Sequence, residues 1–85
     1  MTLEAGMFAK AKAGHDKNCI YVIISVNDEY VYLADGDVRP VSRPKRKNRK
    51  HIQPITSVRC ESITDDRVIR DAVKIRKEIE KTGII

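Results

Sequence analysis

The sequence predicts a small, mostly β protein with one C-terminal helix, on two observations. Up to about residue 63, apolar residues alternate with polar ones or form short β-branched runs separated by Gly, Asn and Asp. Beyond residue 64 they recur at helical spacing. About five short antiparallel strands with glycine at the bends suit a curved sheet that closes into a small barrel. We therefore expect one domain, with a barrel over residues 1–63 and a helix over residues 64–83 packed on it.

The first two strands are predicted from their side-chain patterns. One face of the first strand carries Met7, Ala9, Ala11 and Ala13, and the other carries Phe8, Lys10 and Lys12. A more apolar run over residues 19–26 predicts the central strand, because β-branched and aromatic residues dominate it. The face of this strand that we expect to form the core carries Ile20, Val22, Ile24 and Val26.

Turn residues delimit the rest of the β region. Asn27 and Asp28 predict a tight turn, after which residues 29–34 run back as a third strand towards a second turn at residues 35–37. Two further extended pieces are predicted at residues 38–41 and 50–53. Pro54 must end the second piece or place it at the sheet edge, since proline has no N–H to donate. Residues 39–50 then become the loop that joins the two pieces.

The C-terminal segment predicts one amphipathic helix of about four turns. Its apolar stripe contains Val68, Ile69, Ala72, Val73, Ile75 and Ile79. Thr64 or Asp65 can cap the start of the helix, and Lys81 and Gly83 suit its end. The polar face mixes basic and acidic residues, which indicates a solvated surface rather than a second nucleic-acid surface.

Positive charge is concentrated in one stretch. Seven of the twelve residues from Arg39 to Lys50 are basic and none is acidic. The rest of the chain has ten basic and twelve acidic residues, so the net charge of +5 comes from this stretch. Focused positive charge on a slightly acidic body is typical of a surface that binds a polyanion, above all nucleic acid. A nuclear address, a membrane-surface patch and a solvated loop are the alternatives left open.

Residues 5–36 resemble a KOW motif: Gly6, an alternating strand, Gly14, a polar loop and an apolar strand. Together with Ala-Asp-Gly-Asp-Val-Arg at 34–39 and Arg-Pro-Lys-Arg-Lys-Asn-Arg-Lys-His at 43–51, the chain resembles the small bacterial KOW-domain RNA-binding proteins. That group is similar to KOW-containing large-subunit ribosomal proteins of archaea and eukaryotes. The resemblance implies an SH3-like barrel, and ribosomal RNA of the large subunit as partner.

The charge and the resemblance together define the expected RNA-binding residues. They are Lys10, Lys12, Gly14, His15, Lys17, Asn18, Arg39, Arg43, Lys45, Arg46, Lys47, Asn48, Arg49, Lys50 and His51. Gly14 also has a structural explanation, a positive φ at the bend. Aromatic residues are few, with one Phe, three Tyr and no Trp, which favours recognition of RNA shape over stacking on bases. Phe8 is the best candidate for such stacking, because it shares a face with two lysines.

No group of residues has the spacing of a catalytic or metal site. His15 and Asp16 are adjacent in sequence, and Cys19 and Cys60 fit no zinc pattern. We therefore expect no enzyme, cofactor, metal or small-molecule substrate. The chain has no membrane-length apolar run and no export signal at its start, so a cytoplasmic location is expected.

The expected function is non-catalytic RNA binding in association with the ribosome. Ribosomal proteins are further candidate partners, and the protein is expected to be a monomer when it is off the ribosome. Two alternatives are an SH3-like protein-interaction module and a KOW domain that acts on DNA or on the transcription complex.

Overall fold

A computed structural model describes residues 2–82 and shows one antiparallel sheet of five strands followed by a helix. The elements are β1 (Met7–Ala11), β2 (Ile20–Val26), β3 (Tyr30–Ala34), β4 (Lys45–Asn48), a 3₁₀ turn (Arg49–His51), β5 (Ile52–Arg59) and α1 (Asp66–Thr82). The strand order is β4-β3-β2-β1-β5, so the last strand pairs with the first. The prediction of a mostly β chain with one C-terminal helix is confirmed.

The central strand β2 is buried on both faces, and the core therefore has two parts. The first core cluster contains Met7, Ala9, Ala11, Tyr21, Ile23, Val31, Leu33 and Ile52. The second core cluster, beneath α1, contains Phe8, Ile20, Val22, Ile69 and Val73. The single core face predicted for β2 was incomplete. A shift in the pairing of β2 with β3 after Ile23 also moves Val26 to the first cluster.

The alternation predicted for β1 is confirmed, but its consequence for Phe8 was wrong. Phe8 is only 3% exposed because α1 covers it. The guanidinium carbon of Arg76, on the helix, lies 5.6 Å from the centre of the Phe8 ring. This ring is therefore part of the core and is not a surface on which a base could stack.

The basic segment, predicted as one loop over residues 39–50, is not a single loop. Its second half forms β4, which pairs with β3, and the 3₁₀ turn. The predicted extended piece at residues 38–41 consists of bends and a turn instead. The strand predicted at residues 50–53 begins at Ile52 and continues through Pro54 along an outer strand. Pairing with β3 supplies backbone partners, and this outweighs the poor strand propensity of lysine.

The start of α1 follows the predicted capping. The carboxylate of Asp65 accepts hydrogen bonds from the backbone N–H groups of Arg67 (2.9 Å) and Val68 (3.3 Å), which are otherwise unpaired at a helix start. The loop that leads to β4 is fixed to the same end of the helix, since the Asp66 carboxylate accepts from the N–H of Val41 at 2.8 Å. This contact holds the first part of the basic segment beside the start of the helix.

The buried stripe of α1 differs from the predicted one. Ile69, Val73 and Arg76 are buried, whereas Ile75 is 63% exposed. The sequence offers two apolar rows one residue apart, and the long aliphatic part of Arg76 lets the second row pack on β1 and β2. Gly83, predicted to end the helix, lies outside the described residues.

Candidate nucleic-acid interface

Strand β4 divides its four residues between the two faces of the sheet. Its pairs with β3 are Tyr30 with Asn48, Val31 with Lys47, Tyr32 with Arg46, and Leu33 with Lys45. Paired residues on antiparallel strands share a face. The two lysines therefore lie on the face of the first core cluster, and Arg46 and Asn48 lie on the opposite face.

The two lysines of β4 meet the carboxylate of Asp16. Lys47 Nζ donates to Asp16 Oδ1 at 2.7 Å and to the carbonyl oxygen of Ala13 at 2.9 Å. Lys45 Nζ lies 3.4 Å from Asp16 Oδ2, which also accepts from the Tyr21 hydroxyl at 3.3 Å. These contacts join loop 14–18 to the basic strand, two segments that the sequence predicted separately.

Asp16 is charged in spite of being buried. It is 8% exposed, and burial on its own raises the pKa of a carboxyl. The hydrogen bond from Lys47 and the positive charges of Lys45 and Lys47 outweigh that effect, so the pKa of Asp16 lies below its ordinary value. The pKa of Tyr21 is raised, first by burial and then by the negative charge of Asp16. The Asp16 cluster, which consists of these four residues, thus combines one negative and two positive charges.

Loop 14–18 has the backbone geometry that the sequence predicts for Gly14. Its φ is +88°, and a Cβ there would lie 3.4 Å from Lys47 Nζ. Asn18 also has a positive φ, of 73°, and its N–H donates to the carbonyl oxygen of Ala11 at 2.8 Å. The side chains of His15, Lys17 and Asn18 belong to exposed residues. The loop thus presents polar groups beside β4.

Most of the remaining predicted RNA-binding residues are exposed. They are Lys12, Arg39, Arg43, Arg46, Lys50 and His51. The N–H of Lys12 donates to the carbonyl oxygen of His51 at 2.8 Å, which places these two residues next to each other.

Two of the predicted RNA-binding residues instead contact other parts of this protein. Lys10 lies on the helix side of the sheet, where its Nζ is 3.4 Å from Glu80 Oε1. Arg49 is half-buried, and its Nη1 donates to the carbonyl oxygen of Asn27 at 3.1 Å. The acidic residues Asp28 and Glu29 line a shallow depression with Arg49, so this end of the basic segment is mixed in charge.

Sequence reasoning missed two features of the site. Asp16 was not among the predicted interface residues, although it pairs with Lys45 and Lys47 of the basic segment. Tyr30 and Tyr32 were not among those residues either, although their spacing of two along a strand places both on the face that carries Arg46.

No protein-family model matches this chain, and no curated protein matches it. No helix in the described part of the chain is long and apolar enough to cross a membrane. Residues 2–82 contain no group of three or more His, Cys, Asp or Glu side chains that could hold a metal ion.

Proposed function

We propose that this protein is a non-catalytic, KOW-type RNA-binding protein that associates with the ribosome through structured RNA of the large subunit. One observation carries the proposal: exposed cations follow one chain segment, and Asp16 fixes that segment against loop 14–18. An SH3-like barrel is the fold we propose with it. A five-stranded sheet in which β1 pairs with both β2 and β5 supports that fold.

Phosphate is the ligand group that these cations suit best. The exposed basic residues of the segment are Arg39, Arg43, Arg46 and Lys50. Guanidinium groups can donate two parallel hydrogen bonds to one phosphate, and each neutralised phosphate releases counterions into the solvent. With about four phosphate contacts, the logarithm of the association constant would fall with a slope of roughly −2.8 to −3.6 against the logarithm of salt concentration.

The Asp16 cluster supports binding indirectly. It pairs Lys45 and Lys47 with a carboxylate, so these two lysines fix β4 in place and leave the phosphate contacts to the exposed basic residues. It also holds loop 14–18 beside β4, so that both segments can face one folded RNA. RNA helices are recognised largely by shape and by contacts to the sugar–phosphate backbone, and a rigid surface with fixed charges suits that kind of recognition.

Two variants with the same change in net charge test this proposal. The interface variant carries Arg43→Glu, Arg46→Glu and Lys50→Glu, and the control variant carries Arg67→Glu, Lys74→Glu and Lys77→Glu on exposed positions of α1. Filter binding to large-subunit RNA across a salt series should show an affinity loss on the order of a hundredfold for the interface variant. The control should lose much less. Lys45 and Lys47 are left unchanged because reversing them would disrupt the Asp16 cluster.

Equal losses in the two variants would contradict the proposal, since they would show that RNA senses only the net charge. Full binding by the interface variant would contradict it as well. Duplex DNA that competes as well as RNA in the same assay would favour the alternative of a DNA-binding KOW domain.

A second candidate function, protein interaction, is favoured by one observation. An apolar groove lies between β5 and α1, with Val58, Ala72 and the exposed Ile75 in its lining. Such a groove suits an apolar peptide segment. The interface variant leaves this groove intact, so a protein partner bound there would be retained while RNA is lost.

The chain's thiols suit the reducing conditions of the cytoplasm, where we propose that the protein acts. Cys19 and Cys60 are free cysteines, and Cys19 is exposed. Exposed thiols persist where glutathione and thioredoxin keep them reduced. The cytoplasm is also where ribosomal RNA would be met.

A further inference from the structure

The face of the sheet opposite the Asp16 cluster carries two tyrosines beside an arginine. Tyr30 and Tyr32 are two positions apart on β3 and therefore share a face. Arg46 pairs with Tyr32 across the strands, and its guanidinium carbon lies 4.6 Å from the centre of the Tyr30 ring. The planar cation thus lies over an aromatic ring, a favourable cation–π arrangement.

These tyrosines differ from the third tyrosine of the chain. Tyr21 is 6% exposed and belongs to the first core cluster. Tyr30 and Tyr32 are half-buried and belong to neither core cluster, and helix α1 covers a different part of the same face. Ser25, which pairs with Tyr32 from β2, is exposed. Core packing therefore does not account for these two rings.

Half-buried aromatic rings outside the core, flanked by cations, suit one kind of ligand. Every nucleobase has a π-face that stacks on an aromatic side chain, and the same nucleotide brings a phosphate that needs a cation. A base in an intact duplex is stacked on its neighbours and cannot reach a side chain in this way. The exposed Arg43 and Lys50 lie on either side of Arg46 along the chain and can meet neighbouring phosphates.

We propose that Tyr30, Tyr32 and Arg46 form a platform on which one unpaired RNA base stacks. This inference rests on the proposed RNA-binding function and adds its mode: the surface selects RNA that has an unpaired nucleotide, in a loop or a bulge, next to a helix. Phosphate contacts give the platform affinity, and the rings give it a preference for unpaired bases.

The test uses two RNAs of equal length and charge, a hairpin whose loop contains 2-aminopurine and a fully paired duplex. The wild-type protein should quench 2-aminopurine fluorescence and bind the hairpin more tightly than the duplex. Tyr32→Leu should reduce hairpin affinity roughly tenfold, leave duplex affinity unchanged and abolish the quenching. Tyr32→Phe should behave like the wild type, because it keeps the ring.

A second variant replaces the planar guanidinium of Arg46 by an ammonium group of the same charge. Arg46→Lys should weaken hairpin binding several-fold without changing the salt slope, because the number of charges stays the same. Arg43→Lys is the matched control, since Arg43 has no ring contact within residues 2–82. Circular dichroism confirms that each variant is folded.

Each outcome separates the platform from the proposed function. If the wild type binds both RNAs equally without quenching, and Tyr32→Leu changes neither affinity, the platform is wrong and the RNA-binding function stands. If the wild type binds neither RNA, both proposals fail. A loss of hairpin binding in Tyr32→Leu but not in Tyr32→Phe supports the platform.

Discussion

The two rows of side chains on β4 lie in different surroundings, although basic residues belong to both. Lys45 and Lys47 lie on the face of the first core cluster and pair with Asp16. Arg46 lies on the opposite face, where it is exposed and covers a tyrosine ring. Alternation along a strand therefore divides one basic run into a structural row and a row available to a ligand. The total charge of such a run overstates the charge that it can offer to phosphate.

The largest difference between the rows is expected when one residue of each is reversed in charge. Lys47→Glu places a second carboxylate beside the buried Asp16, and leaving a buried charge without its partner typically costs about 3–5 kcal/mol. We expect the free energy of unfolding to fall by that amount in urea denaturation followed by circular dichroism. Arg46→Glu removes an exposed charge and its ring contact, at a cost of about 1 kcal/mol.

The order of these two losses is the decisive result. Similar losses in Lys47→Glu and Arg46→Glu would show that the Asp16 cluster contributes no more to stability than a surface contact does. The division of β4 into two rows would then have no energetic basis.

Asp16→Asn should change stability and RNA affinity in opposite directions. The variant loses charged hydrogen-bond partners, which lowers the free energy of unfolding by about 1.5–3 kcal/mol. It also releases Lys45 and Lys47 from their carboxylate. RNA binding should therefore become tighter, and the salt slope should become more negative by about one, as for one additional phosphate contact. Filter binding over a salt series measures both quantities.

The pH dependence of stability provides the control for this prediction. Because the pKa of Asp16 is lower in the folded protein, its stabilising effect is present above the unfolded value of about 3.9 and is lost as pH falls through the folded value. The stability difference between wild type and Asp16→Asn should thus be full at neutral pH and shrink in acid. A difference that is independent of pH, or unchanged RNA binding, would contradict the role given to Asp16.

Local patterns in the sequence predicted the parts of the fold that depend on local structure. The alternation of β1, the positive φ of Gly14 and the Asp65 cap each follow from a few neighbouring residues. These features can be predicted without knowing which parts of the chain pack against them. The presence of one C-terminal helix follows in the same way from the spacing of its apolar residues.

The features that were missed depend on contacts between distant parts of the chain. Residues 45–48 form a strand because β3 offers them backbone partners, and no property of the basic run itself indicates this. The burial of Asp16 likewise depends on lysines that lie about thirty positions away in sequence. The exposure of Ile75 instead of Arg76 is decided by how α1 sits on β1 and β2. Sequence reasoning therefore located the basic segment but not which of its charges are free.

The most direct test of the central claim is sedimentation of the tagged protein with ribosomal subunits in gradients of low and high salt, followed by sequencing of crosslinked RNA. We expect the wild type to travel with the large subunit at low salt and to leave it at high salt. Its crosslinks should concentrate at one site of large-subunit RNA, and the variant with Arg43, Arg46 and Lys50 changed to Glu should stay at the top of the gradient. Wild-type protein found only in the ribosome-free fractions at low salt would contradict the claim.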